Sequence, residues 1–465
     1  MVIIFPLEIK IREFYSKLFL TYKILRELKI KEFRIIIGSQ RDIFNNIIKI
    51  KNCIWFDKNT FYKKISSNSI LKNNFLFMLD EEGPVALRPN FFNQLFLSKK
   101  ITSFYDKIFF WGKYDVNFRK KNFNFFGHPK YDLLKKPYNK IYQHESRLIK
   151  KKFKDFILIA SSFEFDSKED SARELNILSQ HIPNKKKFFF KNEYMLDYKK
   201  RFEEYIHQVN AVKKLAKSFP NLNFIYRPHP YQDVELVKKR FGKQFNNLKI
   251  IFKNSITTWI LASKIYIHSG CTTHIEAFVL KKNIINLFSH KEKDNDKFSY
   301  VGKTFYNISS LILFISKFLQ KNKFKNQFNS RIFNLVENTK YKNFFYKSFI
   351  KMLNDDYKHI SSTIIYGKPI KNFIFRIYVN LILIFFLLLS FIKNHFILKI
   401  RFLAMFLPEE FQYSKSYKER KFKQLTKYEV INTLKKFDSI ERKKIINLIN
   451  VVKISNNVFE ISRSK

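Results

Sequence analysis

Short, unbroken apolar runs that stop at a glycine, a proline or a charged turn recur along this chain, with helical spacing between them. Residues 2–5, 34–38, 74–79 and 108–112 are such runs, and between the first two Phe14, Leu18, Tyr22, Leu25 and Leu28 repeat at helical intervals over 12–28. Strands without polar alternation are buried on both faces, so the pattern predicts a parallel sheet wrapped by helices. A second series begins at 155–160 and continues through 223–226, 265–267 and 283–287, with a helix expected over 205–218. The stretch from Gly127-His128-Pro129 to about 151 separates the two series. A chain of 465 residues accommodates two α/β domains, which we place at 1–150 and 151–310. From about Leu311 the pattern changes, and 311–465 reads as a helical, basic region.

Hydrophobic residues make up 46% of the chain, which excludes a disordered protein. Lys and Arg total 88 against 39 Asp and Glu, a net charge of +49. Such a field attracts anionic lipid, phosphorylated ligands or nucleic acid. The basic residues are spread along the whole chain and no nucleic-acid-binding motif accompanies them, so the first two partners are favoured. Cys53 and Cys271 are far apart and lack metal-type spacing, so neither a disulfide framework nor a zinc site is expected, in keeping with a reducing cytoplasm. The opening residues do not read as a secretory signal, because Glu8, Lys10, Arg12 and Glu13 interrupt the apolar run. Residues 377–392 form a run of 16 without a charge, flanked by Arg376 and Lys393. A spanning helix needs roughly 20 apolar residues, so a buried or interfacial helix is the expectation and a spanning one stays open. From 393 to the end there are 17 basic and 7 acidic residues, which suits the surface of an anionic leaflet.

Three clusters that carry chemistry each follow an expected strand, where open α/β sheets place their ligands. In Asp80-Glu81-Glu82-Gly83, consecutive carboxylates repel one another, which raises the pKa of at least one and suits a general base; a solvated acidic turn is the plain alternative. In Arg227-Pro228-His229-Pro230, two prolines fix the backbone around one histidine, which can contact a phosphate with Arg227 as a second donor; the alternative is a rigid turn. In His268-Ser269-Gly270-Cys271-Thr272-Thr273-His274-Ile275-Glu276, Gly270 permits close backbone approach, and the hydroxyls with the N–H groups of the next helix make an anion site. Thr273 and Glu276 also have the spacing of a capping box, and Glu276 could instead bind a ribose hydroxyl.

At these residues the chain resembles known groups. Glu81-Glu82-Gly83 is similar to the acidic motif of bacterial sialyltransferases and related Kdo-type transferases, His229-Pro230 to their HP motif, and Ser269, Thr272 and Thr273 to their serine/threonine motif. The opening FPLEIKIREFYSKLFLTYKIL, with LDEEG, WGKYD, FGHPKYD, RPHP and HSGCTTHIEA, resembles the bacterial surface carbohydrate biosynthesis protein family. The resemblance implies a GT-B-like fold, two Rossmann-like domains facing a cleft, plus the helical basic C-terminal region. It implies an inverting, metal-independent glycosyltransferase of surface polysaccharide biosynthesis; the cysteine usage and the basic C-terminal region add the expectation of a cytoplasmic protein peripheral on the inner membrane face. The donor would be a nucleotide sugar, with CMP-linked 2-keto-3-deoxy acids favoured, and the acceptor a glycan or lipid-linked sugar; no cofactor is implied. Glu81 would be the general base, with Asp80 and Glu82 open as alternatives. His229 would bind the nucleotide phosphate, joined by Ser269, Thr272 and Thr273. The chain departs from the pattern in having Ser-Gly-Cys-Thr-Thr where paired serines are usual. A UDP-sugar or polyol-phosphate transferase of the same fold, a polyanion-binding protein and an inactive membrane scaffold are the competing readings.

Overall fold

The computed structural model describes residues 1–58, 73–88, 102–115, 120–164, 171, 175, 184–242, 245–291, 297–321, 324–367 and 422–464. Residues 377–392 lie outside this set. Among the described residues no helix is long and apolar enough to cross a membrane.

The strands, in chain order, are β1 (Val2–Leu7), β2 (Arg34–Ser39), β3 (Ile47–Lys51), β4 (Ile54–Asp57), β5 (Phe75–Leu79), β6 (Lys107–Phe109), β7 (Phe123–Asn124), β8 (Phe156–Ala160), β9 (Asn223–Arg227), β10 (Leu248–Ile250), β11 (Ile265–His268), β12 (Asn283–Leu287), β13 (Lys303–Phe305), β14 (Thr363–Tyr366), β15 (Ile449–Ser455) and β16 (Val458–Arg463). The helices used below are α1 (Lys10–Glu27), α2 (Pro129–Leu134), α3 (Gln143–Phe153), α4 (Asn184–Ser218), α5 (Val234–Phe241), α6 (Ile256–Ala262), α7 (His274–Val279), α8 (Phe345–Asp356) and α9 (Lys427–Glu441).

The second sheet runs β10-β9-β8-β11-β12-β13, all parallel. Numbered from its own first strand this is 3-2-1-4-5-6, the doubly wound order, with its switch point between β8 and β11. The parallel part of the first sheet runs β2-β1-β4-β5-β6-β7, a 2-1-3 order whose switch point lies between β1 and β4. The two Rossmann-like halves expected from the apolar runs are therefore present, in a GT-B-like pairing. One apolar core runs through both, from Ile3, Phe5 and Phe56 past Tyr131 and Tyr142 to Leu158, Trp259 and Tyr266.

The described residues of 311–465 depart from the expectation of a separate helical region. α8 and α9 pack on α1, and the hairpin β15–β16 adds two antiparallel strands to the first sheet through β16 against β2. The first domain is thus built from both ends of the chain. Gly38 makes this return possible: a Cβ there would lie 2.2 Å from the Asn457 carbonyl oxygen. β14 likewise pairs with β3. α8 starts on a buried carboxylate, Asp132 of α2, which accepts from the Phe345 and Tyr346 amides at 3.0 Å each and from Asn338 Nδ2 at 2.7 Å. Burial first, against these hydrogen bonds, pushes Asp132 up to about 6.

α1 is buried on nearly every side. It carries Glu13 and Lys17 into the interior, and Glu13 accepts from the Glu8 and Ile9 amides that open the helix, at 2.9 and 3.1 Å.

Candidate functional site

The three sequence clusters follow β5, β9 and β11, all at the carboxyl ends of their strands. The structure brings the first of them against the third. A Cβ on Gly83 would sit 2.8 Å from Thr272 Cγ2, so only a hydrogen at this position lets the two halves close to their observed distance. Gly83 also has φ +136°, a backbone conformation that L side chains rarely adopt. Gly83→Ala is expected to destabilise the protein by about 1–3 kcal/mol. Thr272→Ser, which removes the clashing methyl, should return part of that loss. A double-mutant cycle in urea checks the coupling.

The acidic turn splits into three different environments. Asp80 is buried, its Oδ1 accepting from the Glu82 amide at 2.9 Å and its Oδ2 paired with Arg88 at 2.6 Å. Burial, more than repulsion by Glu82, raises its pKa against the pull of Arg88. Glu81 is also buried: Oε1 lies 3.2 Å from Lys17 Nζ and Oε2 lies 3.1 Å from His128 Nε2. His128 Nδ1 accepts from the Lys130 amide at 3.2 Å, which places the ring proton on Nε2, facing Glu81. Burial opposes ionisation of Glu81, but Lys17 and then His128 overcome it and hold the carboxyl well below its usual value. The general base implied by resemblance is thus locked by two cationic or donor partners away from solvent. Lys17 itself pairs with Glu13 at 3.2 Å and donates to the Pro6 carbonyl at 2.7 Å.

Glu82 differs. Its side chain is 49% exposed and its Oε1 lies 3.1 Å from Lys58, which bridges to Glu8 at 2.7 Å. Lys58 and Glu8 sit at the ends of β4 and β1, the switch point of the first sheet. Lys58, then Arg88 and Arg12, pull Glu82 down against burial. Expected mutual repulsion therefore decides the state of none of the three acids; burial and the cations do.

Across the cleft lie His229, Tyr231, Arg201 and Glu164. The His229 amide donates to Gln232 Oε1 at 3.0 Å, and His229 Nδ1 accepts from the Tyr231 amide at 3.4 Å. That leaves Nε2 as the proton-bearing nitrogen, a donor. Burial first, then Arg12, lowers His229 to about 3, with Glu82 working the other way and Arg201 adding to the fall. Arg12, on the first half, feels Glu82 and Tyr231, so the two halves share one electrostatic field. Glu164 is paired with Arg201 at 3.6 Å; burial raises it, Arg201 lowers it and Glu82 raises it further. Buried Gln232 keeps an Nε2 with no hydrogen-bond partner among the described residues.

Other expected ligand residues are engaged elsewhere. Arg227 is buried, donates to the Lys253 carbonyl at 2.7 Å and to the Asn254 carbonyl, and lies over Phe252. Burial lowers it to about 9, with Glu276 opposing. Ser269 accepts from Gln208 Nε2 at 3.0 Å, and its carbonyl accepts from Ser162 across the second switch point. Thr273 does not form the capping box: its hydroxyl meets Tyr266 Oη at 2.5 Å and Cys271 Sγ at 2.9 Å. Glu276 accepts from Thr257 at 2.6 Å and pairs with Lys130 of the first half. Gly270, with φ +80°, and Thr272 stay half-buried, Gly270 near Phe298 and Thr272 against Gly83.

Sequence reasoning missed Glu8, Arg12, Lys58, His128, Glu164 and Arg201. A signal existed for Glu8 and Lys58, since residues just past β1 and β4 flank the first switch point. Among the described residues no group of three or more His, Cys, Asp or Glu is arranged to hold a metal ion.

No family model matches the chain, and no curated protein matches it. Solved structures do. A UDP-GlcNAc 2-epimerase from Methanocaldococcus jannaschii, in complex with UDP-GlcNAc and UDP, is similar over 76% of this chain and 99% of its own, at 15% identity and TM-score 0.46. The S. aureus MnaA–UDP co-structure is similar over 76% and 95%, at 11% identity and TM-score 0.44. The wall teichoic acid polymerase TagF with CDPG is similar over 65% and 72%, at 13% identity and TM-score 0.39. These likenesses are distant.

Proposed function

We propose that the chain is a nucleotide-sugar-dependent glycosyltransferase of surface polysaccharide biosynthesis, with donor and acceptor meeting between the two switch points. The observation that carries this reading is the closure of the acidic turn on the third cluster at Gly83 and Thr272, with Glu82 half-exposed beside Lys58 on one half and Arg201 paired with Glu164 on the other, charges that also act on His229. Basic donors suit an anionic nucleotide, and an accessible carboxylate suits a hydroxyl that must lose its proton.

In this mechanism the acceptor hydroxyl gives its proton to Glu82. Its oxygen forms the new bond to the anomeric carbon from the face opposite the nucleotide. The bond from that carbon to the phosphate oxygen breaks, and the electron pair leaves with the nucleotide, so the centre inverts. His229 Nε2–H, Arg12 and Arg201 stabilise the charge that grows on the departing phosphate. Thr272 and the backbone at Gly270 close the phosphate side. Ser269, Thr273, Arg227 and Glu276 act as positioning residues that fix the loops. Glu81 serves the same end, holding His128 and α1 under the acidic turn.

The donor we favour is a CMP-linked 2-keto-3-deoxy acid, on the strength of the motif resemblance. The second reading is a UDP-sugar, supported by the number of cations flanking His229, which match the greater charge of a diphosphate. The reaction is proposed to need no metal and no cofactor, and to run beside an anionic membrane surface.

A thermal-shift titration with CMP, UMP, UDP, GDP and ADP tests the reading. Saturation at 100 times Kd adds about 2.7 kcal/mol of stability. One nucleotide should stabilise the protein selectively, and His229→Ala should remove the effect. Equal responses to all five, weakening with salt, would replace the reading with nonspecific polyanion binding.

A further inference from the structure

Helix α4 is far longer than the sheet it covers. Its 35 residues extend about 52 Å at 1.5 Å per residue. β8, with 5 residues, spans about 17 Å. α4 is the crossover from β8 to the parallel β9, so it runs against the strands and starts at the pole that carries the cleft. Arg201 marks the level of the cleft, since it pairs with Glu164 and acts on His229. The residues before Arg201 overhang: Leu196 lies about 8 Å and Phe188 about 20 Å further along the axis.

This overhang is apolar on two opposite faces. Phe190, Tyr194 and Tyr198 are buried in the core of the second half. On the other side Phe188 is 78% exposed, Phe189 60%, Met195 43% and Leu196 52%. At 100° per residue these four lie within an arc of about 120°, so they make one stripe. Exposed Asn192 and Lys199 fall within the same arc, exposed Lys191 borders it, and the two acids of this stretch, Glu193 and Asp197, are half-buried. A helix apolar on both faces has a partner on both. A second copy of a chain with charge +49 would be repelled, a soluble phosphate or glycan polyanion offers nothing apolar, and no nucleic-acid-binding motif accompanies the stripe. An anionic bilayer offers both an acyl boundary for the aromatic stripe and headgroups for the lysines.

We propose that the overhanging half of α4 docks on an anionic membrane surface and sets the cleft mouth at headgroup level, so that the acceptor is carried by a lipid. The acceptor clause rests on the glycosyl-transfer reading; the docking surface does not.

The test uses the full chain and sedimentation with vesicles of phosphatidylcholine, with and without phosphatidylglycerol. Wild type should sediment only with the anionic vesicles. Phe188→Glu/Phe189→Glu/Leu196→Glu should lower the bound fraction about tenfold or more. Leu313→Glu, an exposed change on another helix, should not. All replaced side chains are exposed, so an unchanged melting temperature confirms that the variant is folded. Three results would each overturn the proposal: wild type ignoring anionic vesicles, the triple variant binding like wild type, or vesicle-free self-association that the triple substitution abolishes. The nucleotide titration on the same variant separates the two ideas. Docking as expected with no nucleotide response from either protein would sink glycosyl transfer and leave the surface standing.

Discussion

Glu82→Gln is expected to lower kcat by about 10²- to 10⁴-fold, the usual contribution of a positioned general base. Turnover of an acceptor by the purified protein measures it. Glu82 is the one member of the acidic turn whose carboxylate reaches the cleft, half-exposed beside Lys58. Its exposure means the substitution should leave the urea midpoint nearly unchanged, so a lost rate cannot be put down to unfolding. The pH profile carries a second signature. Lys58, Arg88 and Arg12 hold Glu82 below the ordinary carboxylate range, so it stays ionised as pH falls. The acid limb of kcat/KM should therefore lie below the ordinary glutamate value of 4.5. Glu164→Gln is the control: its carboxyl is raised by burial and takes no proton in the reaction, so its loss should leave that low limb in place. Should Glu82→Gln keep its rate within about threefold while Glu81→Gln, assayed at equal folded fraction, loses it, the base is Glu81.

Glu81→Gln is expected to be the most damaging change to stability, costing about 3–5 kcal/mol, the usual result of removing one partner from a buried ion pair. Glu81 and Lys17 are both almost wholly buried, and so is His128. Without the carboxylate, Lys17 keeps Glu13 and the Pro6 carbonyl, but the amide's single oxygen can accept from only one of Lys17 and His128 Nε2–H, and its NH₂ meets the other donor. A urea titration reads the loss as a lower midpoint at unchanged slope. The pH dependence gives the sign. The folded-state pKa of Glu81 is depressed below its ordinary value of 4.5. Its stabilisation is therefore fully present above about pH 4.5 and is lost as pH falls through the folded value. The gap between wild type and Glu81→Gln should be widest near neutrality and should shrink below pH 4.5. A gap that grew on acidification would contradict the buried network.

These two neighbours in sequence have opposite fates because the turn after β5 points them in opposite directions. No feature of Asp80-Glu81-Glu82 foretells this. Resemblance pointed to the first glutamate of the motif, whereas Lys17, His128 and the buried interior claim that residue, and Lys58 holds the next one at the surface. The same division explains Arg227 and Glu276. Each sits in a motif and each was a reasonable ligand, but the 252–254 loop and Lys130 occupy them.

What the sequence determined by itself was local. Apolar runs such as 34–38 and 265–267 can only be buried strands, and their alternation with helices dictated two parallel sheets with ligand loops at the carboxyl ends. Gly83, Gly270 and the prolines around His229 likewise announced turns through their own backbone limits. The tertiary structure decided everything that needed two distant segments at once. It returned β15 and β16 to the first sheet against Gly38, and it carried α4 beyond the sheet with a second apolar face that blurs its helical period. It also set Lys17 under Glu81 and Arg12 opposite His229. The reason is physical: strand and turn preferences are properties of adjacent residues. Burial and charge pairing depend on which surfaces meet, and that is fixed only when the whole chain packs.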